Sequence, residues 1–250
     1  MLPLFTTIAL GSVFVVLSHL EHKHARAPRA KPGAEQKAAT IAPADYLAAL
    51  LINEVPFPGE PAFKSADDSK AAMRAILHTL HNRRAAPPQG YTRWQVAATS
   101  SSDLIDIITA FNQMDGFFKD KHDRHAYAPR VAERMDYLRR LAQRDDTPTL
   151  ADLLAFAQTL ALDFAKGNPP PFPDPFAELT RLPPGDIDVT GSCYGWMTDD
   201  PAYNPGGNYV RIPDEFGGAL GGNRFYTLRK TPLAPAAKEE PTETEEATDP

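Results

Sequence analysis

The chain has 250 residues and a formal net charge of −6 at pH 7, from 26 Lys and Arg against 32 Asp and Glu. This balance leaves no basic footprint, so nucleic acid is excluded as an expected partner. The single cysteine, Cys193, excludes an intramolecular disulfide. Apolar and charged residues occur in the proportions of an ordinary globular protein.

An apolar stretch begins the chain. Residues 1–20 (MLPLFTTIALGSVFVVLSHL) contain no Lys or Arg, and basic residues follow from Lys23 onward. Such a stretch is typical of a signal peptide or a membrane anchor. The Ala-, Pro- and Lys-rich residues 21–42 predict a flexible linker. We therefore expect a cell-envelope protein, either secreted or anchored in the membrane by this segment. The basic residues after this stretch favour a cytoplasmic side for the rest of the chain. This conflicts with a role on the outer side of the membrane, so the orientation stays open.

Residues 43–230 are predicted to form one domain that starts with helices. Helical spacing or capping residues predict helices that begin at Pro43, after Ser65, at 103, at 131 and at Leu150. Ser65 and Asp68 resemble a capping box. The clearest helix runs over Leu150–Lys166, with Thr147 as its expected cap and Gly167 as its stop.

From residue 168 onward the sequence becomes rich in Pro, Gly, Asn and aromatic residues. The repeats GGNYV (206–210) and GGNRF (221–225) predict two turn-strand units, because Gly-Gly-Asn adopts the positive φ angles of tight turns. The aromatic side chains either pack in the core or line a sugar-binding groove. The groove candidates are Tyr194, Trp196, Tyr203, Tyr209 and Tyr226. Residues 231–250 predict a disordered acidic tail. The fold class is therefore α+β, mainly helical, with short strands near the end.

Glu54 is the candidate for chemistry. It follows Leu47, Leu50 and Leu51 at seven, four and three residues, so it lies on the apolar face of the first helix. A desolvated carboxyl has a raised pKa and keeps its proton near neutral pH. A general acid that protonates a glycosidic oxygen needs that state. The alternative is a carboxylate at a helix end, exposed or paired with an Arg.

The sequence around Glu54 resembles the SleB-type cell wall hydrolases, or spore-cortex-lytic enzymes. Asn53-Glu54 is followed by Pro58-Gly59-Glu60 and then by a helix that reads AAMRAILHTLHNRR (71–84). In that family a Glu closes the first helix, a Gly-Glu segment follows, and the next helix is of the type A-V-A-A-V-V-L-N-R. The resemblance is best over residues 54–118 and includes a Gln-Phe-type segment at Gln113.

The resemblance implies a lysozyme-like domain that cleaves the glycan strands of peptidoglycan, as a glycosidase or a lytic transglycosylase. It implies that Glu54 is the catalytic acid, that Asn82 supports the cleft and that Gln113 binds substrate. The second carboxylate stays open among Glu60, Asp106 and Asp115. Lytic transglycosylases with a lysozyme-like fold work with a single Glu.

Other patterns indicate no further chemistry. His122 and His125 have a spacing that a metal ion uses, but no other Cys or His lies near them in the sequence, so we expect a solvated loop. No phosphate loop, dinucleotide fingerprint or nucleophile elbow is present. Neither a metal ion nor a cofactor is expected.

The expected partner is therefore peptidoglycan or a related glycan, with the membrane contacted through the N-terminal segment. A second interpretation is a non-catalytic envelope module of the same fold that binds cell-wall glycan or a protein partner. The open choice of second carboxylate favours it. A virus-encoded lytic or structural protein is a third interpretation.

Overall fold

A computed structural model describes residues 41–110, 113–144, 146–203 and 205–233. These residues form an α+β fold in which helices outweigh strands, and this confirms the predicted class. The helices are α1 (Pro43–Glu54), α2 (Ala66–Arg84), α3 (Arg93–Ala97), α4 (Leu104–Ile108), α5 (Pro129–Ala142) and α6 (Pro148–Ala165). The strands are β1 (Phe117–Lys119), β2 (His125–Tyr127), β3 (Arg181–Leu182), β4 (Ile187–Thr198), β5 (Tyr209–Arg211), β6 (Ala219–Leu220) and β7 (Asn223–Arg229).

The predicted N-terminal segment 1–20 lies outside the described residues, as do most of the linker 21–42 and most of the tail 231–250. Among the residues that are described, none of the helices combines the length and the apolar character that a membrane crossing requires.

Helix α1 is buried along most of its length. Seven consecutive residues, Tyr46–Ile52, are buried, so the helix is covered on all sides and not only along its predicted leucine stripe. Helices α2, α5 and α6 pack against it. The hydroxyl of Tyr46 donates to the carbonyl of Ala126 at 2.7 Å, which attaches the β1–β2 hairpin to the same helix.

Two predicted caps turn out differently in detail. The Ser65 hydroxyl accepts a hydrogen bond from the Asp68 amide at 3.1 Å, so half of the capping box is confirmed. The Asp68 carboxylate does not return to Ser65 but accepts from the Gly221 amide at 3.0 Å, because β7 approaches here. Thr147 does not cap α6. Its hydroxyl donates backwards to the Leu141 carbonyl at 2.8 Å and accepts from no amide in the first turn of the helix.

The C-terminal part is an antiparallel sheet with the order β3–β4–β7–β5, in which β6 also pairs with β7. Helix α2 packs against β4. The 12-residue length of β4 was not predicted, because Gly191 and Gly195 interrupt its apolar alternation and its register with β7 shifts. The two Gly-Gly-Asn segments do form turn-strand units, and all four of their glycines have positive φ.

Gly221 has the strictest requirement of these four. Its φ is +53°, and a Cβ built there would lie 2.6 Å from the Cβ of Ala72 on α2. Together with the hydrogen bond to Asp68, this contact fixes the turn before β7 against the first turns of α2. These contacts therefore fix the position of the sheet relative to α2 at the start of β7.

Arg134 on α5 closes the C-terminal end of α1. Its guanidinium donates to the carbonyls of Ile52 and Val55, the latter at 3.0 Å. It also binds both oxygens of Glu60 at 2.8 Å. The last carbonyls of a helix have no partner within the helix, so this arginine satisfies groups that would otherwise be buried without one. The end of α1, where Glu54 lies, is fixed by this contact.

Replacing Arg134 with Met should lower the free energy of unfolding by about 2 kcal/mol, because charge-assisted hydrogen bonds to partly buried groups are lost. The matched control is Arg139→Met on the same helix, whose arginine forms an exposed pair with Asp136 at 3.7 Å. That control should change stability by less than about 0.5 kcal/mol. Urea denaturation measures both variants, and equal effects would contradict the assigned role of Arg134.

Candidate active site

A cleft of about 940 Å³ opens where the end of α1 meets the sheet. One wall is formed by Asn53 and Glu54 together with side chains of α5. The adjoining wall comes from residues 196–198 of β4 and from Asn223 of β7. The segment 113–118, which runs into β1, closes the remaining side. We call this space the Glu54 cleft.

Glu54 is held in the wall of this cleft by the sheet. It is the last residue of α1 and is partly buried. The indole Nε1–H of Trp196 donates to its Oε2 at 2.7 Å. The side-chain amide of Asn223 donates to its backbone carbonyl at 2.6 Å. The carboxyl therefore has a fixed direction, and its partner is a neutral donor and not an arginine.

Burial raises the pKa of Glu54 above its ordinary value. The Trp196 hydrogen bond and the charge of Arg134 act against this rise, whereas the charge of Asp115 adds to it. The net direction is upward, so the carboxyl keeps its proton at a higher pH than an exposed glutamate does. A group with these properties can donate a proton to a substrate oxygen in the cleft.

Two other predicted site residues also line the Glu54 cleft: Trp196, which holds the carboxyl, and Gln113. Of the three alternatives for a second carboxylate, only Asp115 lines it. Its side chain is 94% exposed and pairs with Arg130 at 2.6 Å. The Glu60 carboxylate is bound by Arg134, and the Asp106 carboxylate forms an ion pair with Lys119 at 2.8 Å.

Three predicted substrate-binding residues lie elsewhere. The Asn82 amide donates to the Asp174 carboxylate at 3.2 Å and to the Cys193 carbonyl at 3.1 Å, so it joins α2 to β4. Tyr194 and Tyr226 are buried in the domain and do not line the Glu54 cleft. Their burial raises the pKa of both phenols, that of Tyr194 to about 12. Regular alternation would place Tyr194 and Trp196 on the same face of β4, but the pairing of β4 with β7 shifts between Cys193 and Gly195, and this irregularity separates the two side chains.

Several residues of the cleft were not predicted, and two of them matter for its chemistry. Asn223 was interpreted only as part of a turn, and its contact with Glu54 joins positions 169 residues apart. Phe118 lines the cleft and is 43% exposed, which is unusual for a phenylalanine. The sequence carried one signal for Phe118: it is an apolar residue between a glycine turn and the charged residues of the β1–β2 hairpin.

The remaining candidates have structural contacts. His125 bonds to the Ile41 carbonyl and packs on the Tyr46 ring, with 4.8 Å between the ring centroids. Within the described residues, no group of three or more His, Cys, Asp or Glu is arranged to hold a metal ion. Cys193 is buried, and burial raises the pKa of its thiol to about 11, so it stays protonated.

Comparisons with protein-family models, with curated proteins and with solved structures gave no match to this chain.

The raised pKa of Glu54 predicts a pH-dependent stability. Between the ordinary pKa and the raised one, the folded chain holds a proton that the unfolded chain has released. Stability therefore falls as the pH rises through this window. Glutamine does not titrate. The melting temperature of Glu54→Gln minus that of the parent should grow as the pH rises above about 4, near the ordinary pKa of a glutamate.

The control for this measurement is Glu133→Gln, a substitution at an exposed glutamate of α5. Its melting-temperature difference from the parent should stay flat over the same range. Thermal melts followed by circular dichroism provide the comparison. A flat difference for Glu54→Gln would contradict the raised pKa.

Proposed function

We propose that this chain cleaves the glycan strands of peptidoglycan, as a glycosidase or a lytic transglycosylase, with Glu54 as its general acid. One observation carries the proposal: a partly buried carboxyl with a raised pKa lies in the wall of a 940 Å³ cleft and is aimed by a Trp196 hydrogen bond. The resemblance of residues 54–118 to SleB-type hydrolases agrees with it.

Cleavage would begin with proton transfer from Glu54 to the bridging oxygen of a glycosidic bond. The bond between that oxygen and the sugar carbon then breaks, and positive charge develops on the sugar ring. The Glu54 carboxylate next accepts a proton from the attacking group. That group is water in a glycosidase and a hydroxyl of the same sugar in a transglycosylase. A single carboxyl serves both proton transfers in the second case.

The surroundings of Glu54 favour a route that depends on this one carboxyl. Asp115 shares the cleft, but its side chain is almost fully exposed and paired with Arg130. An exposed carboxylate in an ion pair is a weak nucleophile and a weak base. We therefore assign Asp115 an electrostatic role: its negative charge helps to keep the Glu54 proton in place.

A lysozyme-like arrangement is part of the same proposal. The acid stands at the C-terminal end of the buried helix α1, and the cleft is lined by α5 on the helical side and by residues of β4 and β7 on the other. Residues 1–20 would bring the domain to the cell envelope, where peptidoglycan is found. The same cleft without catalysis would make the chain a glycan-binding module, and the experiment below separates the two.

Glu54→Gln should abolish the release of soluble fragments from purified sacculi, because the amide has no acidic proton to donate. Mass spectrometry of the digests measures the loss and identifies the bond that is cleaved and the product class. Glu133→Gln, exposed on α5, should leave release unchanged. Full activity of Glu54→Gln would overturn the assignment of the acid. Binding of the parent chain to sacculi without any release would favour the non-catalytic module.

Phe118 should contribute to glycan binding, since a sugar ring stacks on an exposed aromatic face. Phe118→Ala is expected to weaken binding of the Glu54→Gln chain to sacculi by about fivefold, as for the loss of about 1 kcal/mol. The matched control is Phe216→Ala, because Phe216 is 40% exposed but lies outside the cleft. A pelleting assay measures both, and equal weakening would contradict a specific role for Phe118.

A further inference from the structure

Arg83, near the end of α2, is a buried cation with few partners. Only 5% of the surface of this residue is exposed to solvent. Its Nε donates to the Tyr194 carbonyl at 2.8 Å, whereas its Nη1 has no hydrogen-bond partner. In the described part of the chain, the groups that act electrostatically on Arg83 are Tyr209 and Cys193, and no carboxylate is among them. Burying a charge in this way costs free energy, so the position of Arg83 requires an explanation.

The guanidinium of Arg83 lies against the aromatic ring that holds Glu54. Its central carbon is 5.5 Å from the ring of Trp196. That geometry is an attractive cation–π contact, which strengthens when both groups are out of water. The same indole donates its Nε1–H to the Glu54 carboxyl. The three side chains thus form a row that runs from the interior of the domain to the cleft.

A cation over an indole ring has two effects on the far side of that ring. It fixes the plane of the indole, and therefore the direction of the N–H. It also draws electron density from the ring, so that the N–H becomes a stronger donor, as in other polarised chains of hydrogen bonds. Both effects stabilise the ionised form of a carboxyl that accepts from this N–H.

We propose that Arg83 is a positioning residue for Glu54 and acts through the indole of Trp196. Its part in catalysis rests on the proposed function, whereas its effect on the Glu54 carboxyl exists with or without catalysis. Arg83 would set how readily the acid gives up its proton and, by fixing the indole, where that proton points.

Other charged groups face Glu54 and must be kept constant in any test. Asp115 comes from the segment before β1 and raises the pKa of Glu54. Arg134 comes from α5 and lowers it. Arg130, on the same helix, is paired with Asp115. The strand β7 contributes the neutral Asn223 to the backbone of Glu54. None of these residues is altered in the variants below.

The test is a carboxyl titration that requires no activity. The full chain is labelled with glutamate carrying ¹³C at Cδ, and the Glu54 resonance is identified by its absence from Glu54→Gln. Trp196→Phe should raise the Glu54 midpoint by about one pH unit, as for the loss of a hydrogen bond to a charged group. Arg83→Met should raise it by about half a unit.

The decisive measurement is the pair of substitutions together. In the Trp196→Phe background the N–H is already gone, so Arg83→Met should add no further rise. An equal rise in both backgrounds would overturn the proposal, because Arg83 would then act directly on the carboxylate. An unchanged midpoint in the folded Arg83→Met chain would overturn it as well. The titration does not depend on fragment release from sacculi. A failure of the proposed function would therefore appear in the sacculus digest and not in the Glu54 midpoint.

Two further variants complete the design. Arg84→Met removes the neighbouring arginine, which lies 5.4 Å from the Phe164 ring, and should leave the Glu54 midpoint unchanged. A rise equal to that of Arg83→Met would contradict the role of the Trp196 contact. If the Arg83→Met chain does not fold, Arg83→Gln decides, since it removes the cation and keeps a donor for the Tyr194 carbonyl. Its midpoint should rise by about half a unit, and an unchanged midpoint would overturn the proposal.

Discussion

The carbonyl groups at the C-terminal end of α1 need partners, and the way they are supplied organises the rest of the domain. Arg134 reaches across from α5 to the carbonyls of Ile52 and Val55, and Asn223 reaches from β7 to that of Glu54. Helix ends that are buried without partners are strongly destabilising. The two contacts join helices and sheet around one point, and the cleft is the space left beside it.

Opposing electrostatic effects act on the Glu54 carboxyl at that point. Burial and Asp115 favour its protonated form, whereas Trp196 and Arg134 favour the ionised form. A carboxyl balanced in this way changes its protonation state at moderate cost, which suits the general-acid role proposed for it. The balance also costs stability, as is usual for functional sites in which a charged group is kept partly out of water.

Local patterns were enough to predict α1, the approximate limits of α6, the Gly-Gly-Asn turns and the position of Glu54 at the end of α1. Each depends on spacing within about ten residues, where helical periodicity and turn chemistry operate. The other side of the cleft depends on contacts between distant positions. Asn82 was expected to support the cleft, yet it bonds to Asp174 and to β4, because the sheet packs on that face of α2. Nothing near Asn223 in the sequence indicates that it meets Glu54. The length of β4 was not apparent from the sequence, because its glycines interrupt the side-chain alternation. The strand is extended by its backbone pairing with β7.

The order of these contacts along the chain has a consequence for synthesis. Glu54 belongs to the first helix, but Trp196 and Asn223, which hold it, come from near the end of the domain. A ribosome releases the acid-bearing helix long before it releases the strands that aim the acid. The nascent chain therefore carries no assembled cleft until β7 has paired, and a product truncated before residue 223 would lack it altogether. For the glycan cleavage proposed above, this order means that Glu54 meets the groups that hold it only when synthesis of the domain is nearly complete.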